Sequence, residues 1–247
     1  MTKPVAVVVG VGAEVGLGAA ICRRFASGGY HVLIAGLTQA RIDQVALGIR
    51  ASGGSADAVV TDATQEHDVI QLFDQAMEPG DGLAPADVVV FNVGNNSHKE
   101  FLEIEASLFE EFLRVGCFAG FLVGREAARR FMKRGPAGTI IFTGASASLR
   151  GKPGFSQFAA AKAGLRMIAQ SMAREFAPLG VHVVHVVIDG GIDGEQLRSR
   201  FPNAVAERGV GGLLSIDAIA ETYWHLHRQH RSAWTHEIDL RPFKEPF

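Results

Sequence analysis

Tyrosine is nearly absent: Tyr30 and Tyr223 are the only two in a chain of 247 residues that also holds sixteen phenylalanines. Any chemistry that needs a phenolic hydroxyl has two candidates. Cysteine is as scarce, with Cys22 and Cys117 far apart and no CxxC pair, which argues against a disulfide scaffold or a thiolate metal site. No apolar run approaches the ~18 residues of a membrane span. Neither sign of charge dominates: 24 basic and 26 acidic residues leave a formal net charge of −2, a balance that argues against a nucleic-acid partner. The opening MTKPVAVVVG runs straight into a β-branched segment and lacks the layout of a secretory leader. The expected setting is cytoplasmic and off the membrane. His225, His227 and His230 miss the i, i+4 spacing that puts two ligands on one helix face, so no metal is expected.

What the chain does have is glycine, 29 residues of it, and a regular alternation of short apolar runs with helical stretches. Val5–Val9, Val32–Ala35, Ala58–Thr61, Val88–Phe91, Thr139–Phe142, Val181–Ile188 and Glu237–Leu240 read as strands. Several are apolar at every position, as strands covered on both faces are. Between them lie helical patterns over Leu17–Ser27, Thr38–Ser52, Gln65–Met77, Ser107–Arg134, Gly154–Ala177 and Asp217–Gln229. Gly53-Gly54, Pro79–Pro85 and Gly135–Gly138 are loop punctuation. The expected fold is one α/β domain over residues 1–247: a doubly wound parallel sheet of about seven strands with helices on both faces. Residues 193–216, the least periodic stretch, are the expected lid or substrate loop.

The first strand ends in Gly10-Val11-Gly12-Ala13-Glu14-Val15-Gly16-Leu17-Gly18. A glycine-rich loop between the first strand and first helix lets backbone approach a pyrophosphate and aims helix N–H groups at it. Gly12, Glu14, Val15, Gly16 and Leu17 are the candidate contacts. With this loop, Asp62 and Ala63 in Thr61–Thr64, Asn92-Val93-Gly94, and Ile188-Asp189-Gly190-Gly191-Ile192 in their order and spacing, the chain resembles the short-chain dehydrogenase/reductase family over nearly its full length. The resemblance implies that Asp62 meets adenine, that Asn92, Val93 and Gly94 border the cofactor, and that Gly190 and Ile192 lie at the nicotinamide. Asp62 reads equally as a helix cap, and Asn92 as a strand-end tie. Val11, Asp189 and Gly194 depart from the family's Thr, Pro and Thr.

A carboxylate at the end of the second strand would select NAD by binding its ribose 2′-hydroxyl. Gly36 stands there, followed by Leu37 where users of NADP often carry arginine. Thr38 and Arg41 could donate to a 2′-phosphate, although Arg41 also reads as a solvated helix face. Glu14 argues the other way. NADP is favoured, with NAD the alternative.

The family's chemistry rests on an Asn, a Ser, a Tyr and a Lys. Lys162 matches the lysine, one helical turn after the tyrosine position, which is Phe158. The serine falls on Ala145, with Ser146 one place on, and the asparagine on Gly116. A phenyl ring has no ionisable group, so Phe158 either packs or lines a drier pocket. Ser146 is a substitute donor or a backbone cap. His98, in Asn95-Asn96-Ser97-His98, lies where substrate loops begin; it could deliver protons, or be an ordinary exposed loop histidine. The resemblance therefore implies an NAD(P)(H)-dependent oxidoreductase acting on a carbonyl, alcohol or enoyl small molecule by a non-standard proton route, forming a homodimer or homotetramer. The alternative is a dinucleotide-binding sensor or scaffold without turnover.

Overall fold

A computed structural model describes residues 2–94, 96–135 and 137–245. Asn95, in the run before His98, and Pro136, in the Gly135–Gly138 turn, lie outside the described residues. The first half runs β1 (Lys3–Val9), α1 (Leu17–Ser27), β2 (His31–Gly36), α2 (Gln39–Ala51), β3 (Ser55–Val60), α3 (Glu66–Met77) and β4 (Leu83–Phe91). The second runs α4 (Ala106–Leu113), α5 (Ala119–Arg134), β5 (Gly138–Thr143), α6 (Ser156–Phe176), β6 (Val181–Ile188), β7 (Ile192–Asp193), α7 (Glu195–Arg200), α8 (Pro202–Arg208), β8 (Leu214–Ser215), α9 (Ile216–His227) and β9 (Glu237–Leu240).

The main sheet has seven strands in the order β3-β2-β1-β4-β5-β6-β9, all parallel. The order reverses between β1 and β4, and in open parallel sheets the crevice beyond such a switch point is where ligands bind. Side chains alternate across the sheet as period two requires. Ala6 and Val8 of β1 join the core under α1, α2 and α9, whereas Val5, Val7 and Val9 join the core under α3, α5 and α6. Both faces are thus covered, which is why these strands are continuously apolar. No described helix is long and apolar enough to cross a membrane.

Three segments differ from the sequence expectation. The single helix over Ser107–Arg134 is interrupted by a π-helical stretch, Arg114–Phe118. A Cβ on Gly116 would meet Ala161 Cβ at 2.9 Å, and Cys117 Sγ lies against Gly164. The wider turn lies where two helices meet at backbone distance. Strand β4 starts at Leu83, inside the expected Pro79–Pro85 loop, because Leu83 and Ala84 pair with Lys3 and Pro4 before a register shift readmits regular pairing at Ala6. A proline such as Pro85 is tolerated at that irregularity. Residues 193–216 carry α7, α8 and β8, with Ile192 paired to Leu214.

Candidate active site

The glycine loop is held from below by the end of β4. Gly10 has φ +93, and the Asn92 side-chain amide donates to its carbonyl at 3.2 Å. Gly18 packs into the same junction, where a Cβ would lie 3.1 Å from the Gly10 oxygen and 3.2 Å from Asn92 Nδ2. Asn92 is therefore the tie that fixes the loop. Gly12 is open, with nothing within 4 Å of where a side chain would begin. Glu14 and Val15 are exposed, Gly16 caps α1 and Leu17 is buried. The result is an open glycine with a helix N-terminus beside it, an arrangement suited to phosphate oxygens.

Gly36 closes β2 directly beneath the loop. A Cβ there would collide with the Val11 carbonyl, so the position admits no carboxylate while the loop stays as it is. Thr38 and Arg41 are exposed, and no described side chain bonds theirs. The Glu14 carboxylate leans over α2, 3.6 Å from where a Gly48 Cβ would sit. Asp62 accepts from the Thr64 amide at 2.9 Å and the Thr64 hydroxyl at 2.7 Å, both on Oδ1. That local turn uses one carboxylate oxygen; Ala63 beside it is buried.

The other side of the crevice is built by α6. Lys162 is 4% exposed, and its ammonium donates to the Val93 carbonyl at 3.1 Å and the Thr143 carbonyl at 2.9 Å. It thereby joins the ends of β4 and β5. Gly94 packs against it: a Cβ there would lie 3.2 Å from Nζ. Burial lowers the Lys162 pKa to about 8, because removing water penalises the charged form. An ammonium has three N–H donors; two are committed, and one remains for a ligand hydroxyl. The residues present fit a dinucleotide on these grounds: an open glycine, a helix N-terminus and a lysine with a donor to spare.

Phe158, one turn before Lys162, is half-buried. Ala145 is in extended backbone after β5, and its amide donates to the Ser148 hydroxyl oxygen at 3.1 Å. Ser146 starts a short 3₁₀ turn and is half-buried. At Gly116 the contact with Ala161 leaves no room for an asparagine side chain. Neither tyrosine reaches the crevice. The fully buried Tyr223 bonds the Thr143 hydroxyl at 2.9 Å from the α9 side, and burial pushes its phenol well up. Tyr30 bonds His227 Nε2 at 2.6 Å at the opposite end of the sheet.

Several residues around the crevice carried no sequence signal for their role. Thr143 holds Lys162 through a backbone carbonyl, which no side-chain pattern reports. Asp189, recognisable only as a departure from the family's proline, is 1% exposed. Arg150 Nη2 donates to both its oxygens, at 2.9 and 2.8 Å, and Arg241 stands 3.2 Å away. A buried carboxylate needs such partners. His185 and His182 face opposite sides of the sheet. His185 Nδ1 contacts Glu237 at 2.9 Å, and Glu237 takes two bonds from Arg166 of α6. Burial lowers the His185 pKa to about 4. Gly190 and Ile192 lie at the crevice end of β6, where Gly191 accepts from the Leu214 amide at 2.8 Å.

A family model described as short chain dehydrogenase matches residues 5–203. A short-chain dehydrogenase from Rhodopseudomonas palustris superposes with a TM-score of 0.81 at 37% identity, covering 98% of this chain and 99% of that one. A short-chain dehydrogenase/reductase of Armillaria gallica is 33% identical over 181 residues, 72% of this chain and 67% of the relative. A 3-oxoacyl-[acyl-carrier-protein] reductase of Aquifex aeolicus is 31% identical over 183 residues, 74% of this chain and 72% of its own.

Proposed function

The chain belongs to the short-chain dehydrogenase family, and on that premise we propose that it is an oxidoreductase using NADP in preference to NAD on a small carbonyl, alcohol or enoyl compound. The observation that carries the reading is Lys162, buried between the ends of β4 and β5 with one N–H donor unspent. When bound, the reduced dinucleotide supplies the hydride. The chain's own contribution is to hold and orient. Gly12 and the first turn of α1 receive the pyrophosphate, Asp62 the adenine, and Lys162 the ribose beside the nicotinamide. Gly36 offers no carboxylate against a 2′-phosphate, and Arg41 and Thr38 stand free to bond one.

The proton for the substrate oxygen comes from a group other than residue 158, since Phe158 has none to give. That favours substrates whose reduction needs little acid assistance, such as enones or reactive ketones. The mouth suits an apolar molecule: Phe101, Leu102 and Leu149, on loops after β4 and β5, are all exposed. A second copy of the chain is the proposed occupant of the apolar groove on α5 and α6, where Phe121 and Met167 are exposed beside the half-buried Met132 and Phe176, consistent with a homodimer or homotetramer.

Two measurements test the reading. NADPH and NADH are titrated by fluorescence, and a panel of ketones and enones is screened for turnover. Saturable NADPH binding with turnover lost in Lys162→Ala supports it. No binding of either dinucleotide overturns it, and binding without turnover on any substrate would leave a dinucleotide-binding protein.

A further inference from the structure

We infer that His98 is the proton donor and acceptor for the substrate oxygen in this chain, standing in for the tyrosine that residue 158 has lost. The inference rests on the oxidoreductase reading above. It starts from one face of α6 and the segment leading into it. Phe158 and Lys162, four residues apart on α6, face the same side about 6 Å apart, and Gly154 lies just ahead of the helix with φ +79. The loop after β4 touches both ends of that row. Gly94 packs on Lys162, and His98 packs on Gly154, where any side chain would collide with the imidazole. Phe158 lies between the two contacts.

His98 is held there. The Lys99 amide donates to the Gly154 carbonyl at 2.9 Å. The fully buried Gln157 donates to the Ser97 carbonyl at 2.8 Å. The Phe155 ring meets the imidazole edge-on at 5.3 Å. Both chain neighbours of His98 are thus tied to the start of α6, while its side chain stays 59% exposed. Among the described residues the one charged group within ion-pair reach of the ring is Glu100, at 3.9 Å. Gly154 and Phe155, packed against it from the segment just ahead of α6, carry no charge.

The other candidates are less suited. Lys162 is fixed by two carbonyls and committed to holding a ligand. The Ser146 hydroxyl has no described base bonded to it, and a serine without a base is a poor source of protons. An imidazole can both give and take a proton, and an exposed ring exchanges it with water. The step balances simply. Hydride from the reduced dinucleotide forms the new C–H bond, and the C=O π pair moves to oxygen. The imidazolium N–H bond breaks as the O–H bond forms, leaving neutral imidazole that takes a proton back from water.

The test uses NADPH with cyclohexanone and cyclohex-2-enone. In His98→Asn, kcat is expected to fall about 100-fold with the KM for NADPH nearly unchanged, as for loss of a positioned acid. The pH–rate profile should change shape. In a Phe158→Tyr/Ala145→Ser background, the same His98→Asn change should cost less than about threefold, because a phenol is again available. Unchanged kcat and pH profile in His98→Asn would overturn the inference. If the wild-type chain reduces neither compound, the imidazole ¹⁵N resonances of His98, assigned by their loss in His98→Asn, decide. Their movement on adding NADP with cyclohexanone supports the placement, and their standing still overturns it. Failure of the oxidoreductase reading is seen separately, as absence of NADPH binding.

Discussion

Two corners of one crevice have diverged to different degrees. At the β1–α1 corner, the frame of the proposed dinucleotide site is kept by Gly10, Gly12 and Gly18 in the loop, Asn92 as its tie and Gly36 flush beneath it, with Val11 departing from the family's Thr. At the β5–α6 corner, the resemblance leaves Lys162 as the one match to the family's four catalytic positions, with Ala145, Phe158 and Gly116 at the other three. The first corner works mainly through backbone, which glycine provides. The second works through ionisable and hydroxyl side chains, and those can be exchanged while the backbone frame stays. On the proposed function, the fold keeps a binding site while its proton chemistry moves elsewhere.

The largest expected effect joins the two corners. Lys162→Ala should reduce turnover by about 10²–10⁴-fold and weaken NADPH binding, read by turnover and fluorescence titration; loss of one effect without the other would separate the corners. Acid comes next. Burial holds His185 and His227 at about 4, against an ordinary 6.5. Above pH 6.5 both are neutral, folded or unfolded. Below it the unfolded chain takes up protons that the folded chain refuses. Stability is therefore full above about pH 6.5 and falls toward pH 4, by up to about 1.4 kcal/mol per pH unit for each histidine, measured by urea unfolding at stepped pH. His185→Asn should reduce that slope.

Gly36→Asp tests the glycine corner. The new side chain must displace the Val11 carbonyl, so a cost of about 1–3 kcal/mol is expected, with a lower Tm and weaker NADPH binding. The smallest effect belongs to Arg41→Ala. NADPH should bind about tenfold more weakly, ~1.4 kcal/mol, with NADH affinity unchanged, read by parallel titrations.

Much of this was legible in the sequence, for identifiable reasons. Strands such as Val5–Val9 and Val181–Ile188 announce themselves because burial on both faces leaves no polar position. The glycine loop is visible because Gly10 and Gly18 sit where a Cβ would press on backbone. The loss of chemistry at Phe158 is visible because a single side chain carries the function. What stayed hidden depends on tertiary approach. Thr143 acts through a carbonyl. Arg150 reaches Asp189 across 39 positions. The break at Arg114–Phe118 arises from Gly116 meeting Ala161 on another helix. The sequence left His98 as either a proton carrier or an exposed loop histidine, and its packing on Gly154 and Phe155 was the part it could not show. The stretch 193–216 lacks periodicity because its helices are too short to repeat.

The central claim is that dinucleotide binding and proton delivery are separable in this chain. It is tested most directly by measuring NADPH affinity and ketone turnover side by side in the wild type and in Phe158→Tyr/Ala145→Ser. The expected result is a Kd within about twofold of wild type, with kcat raised about tenfold or more by the restored acid. A Kd that shifts in step with kcat, or a kcat indifferent to the restored pair, would contradict it.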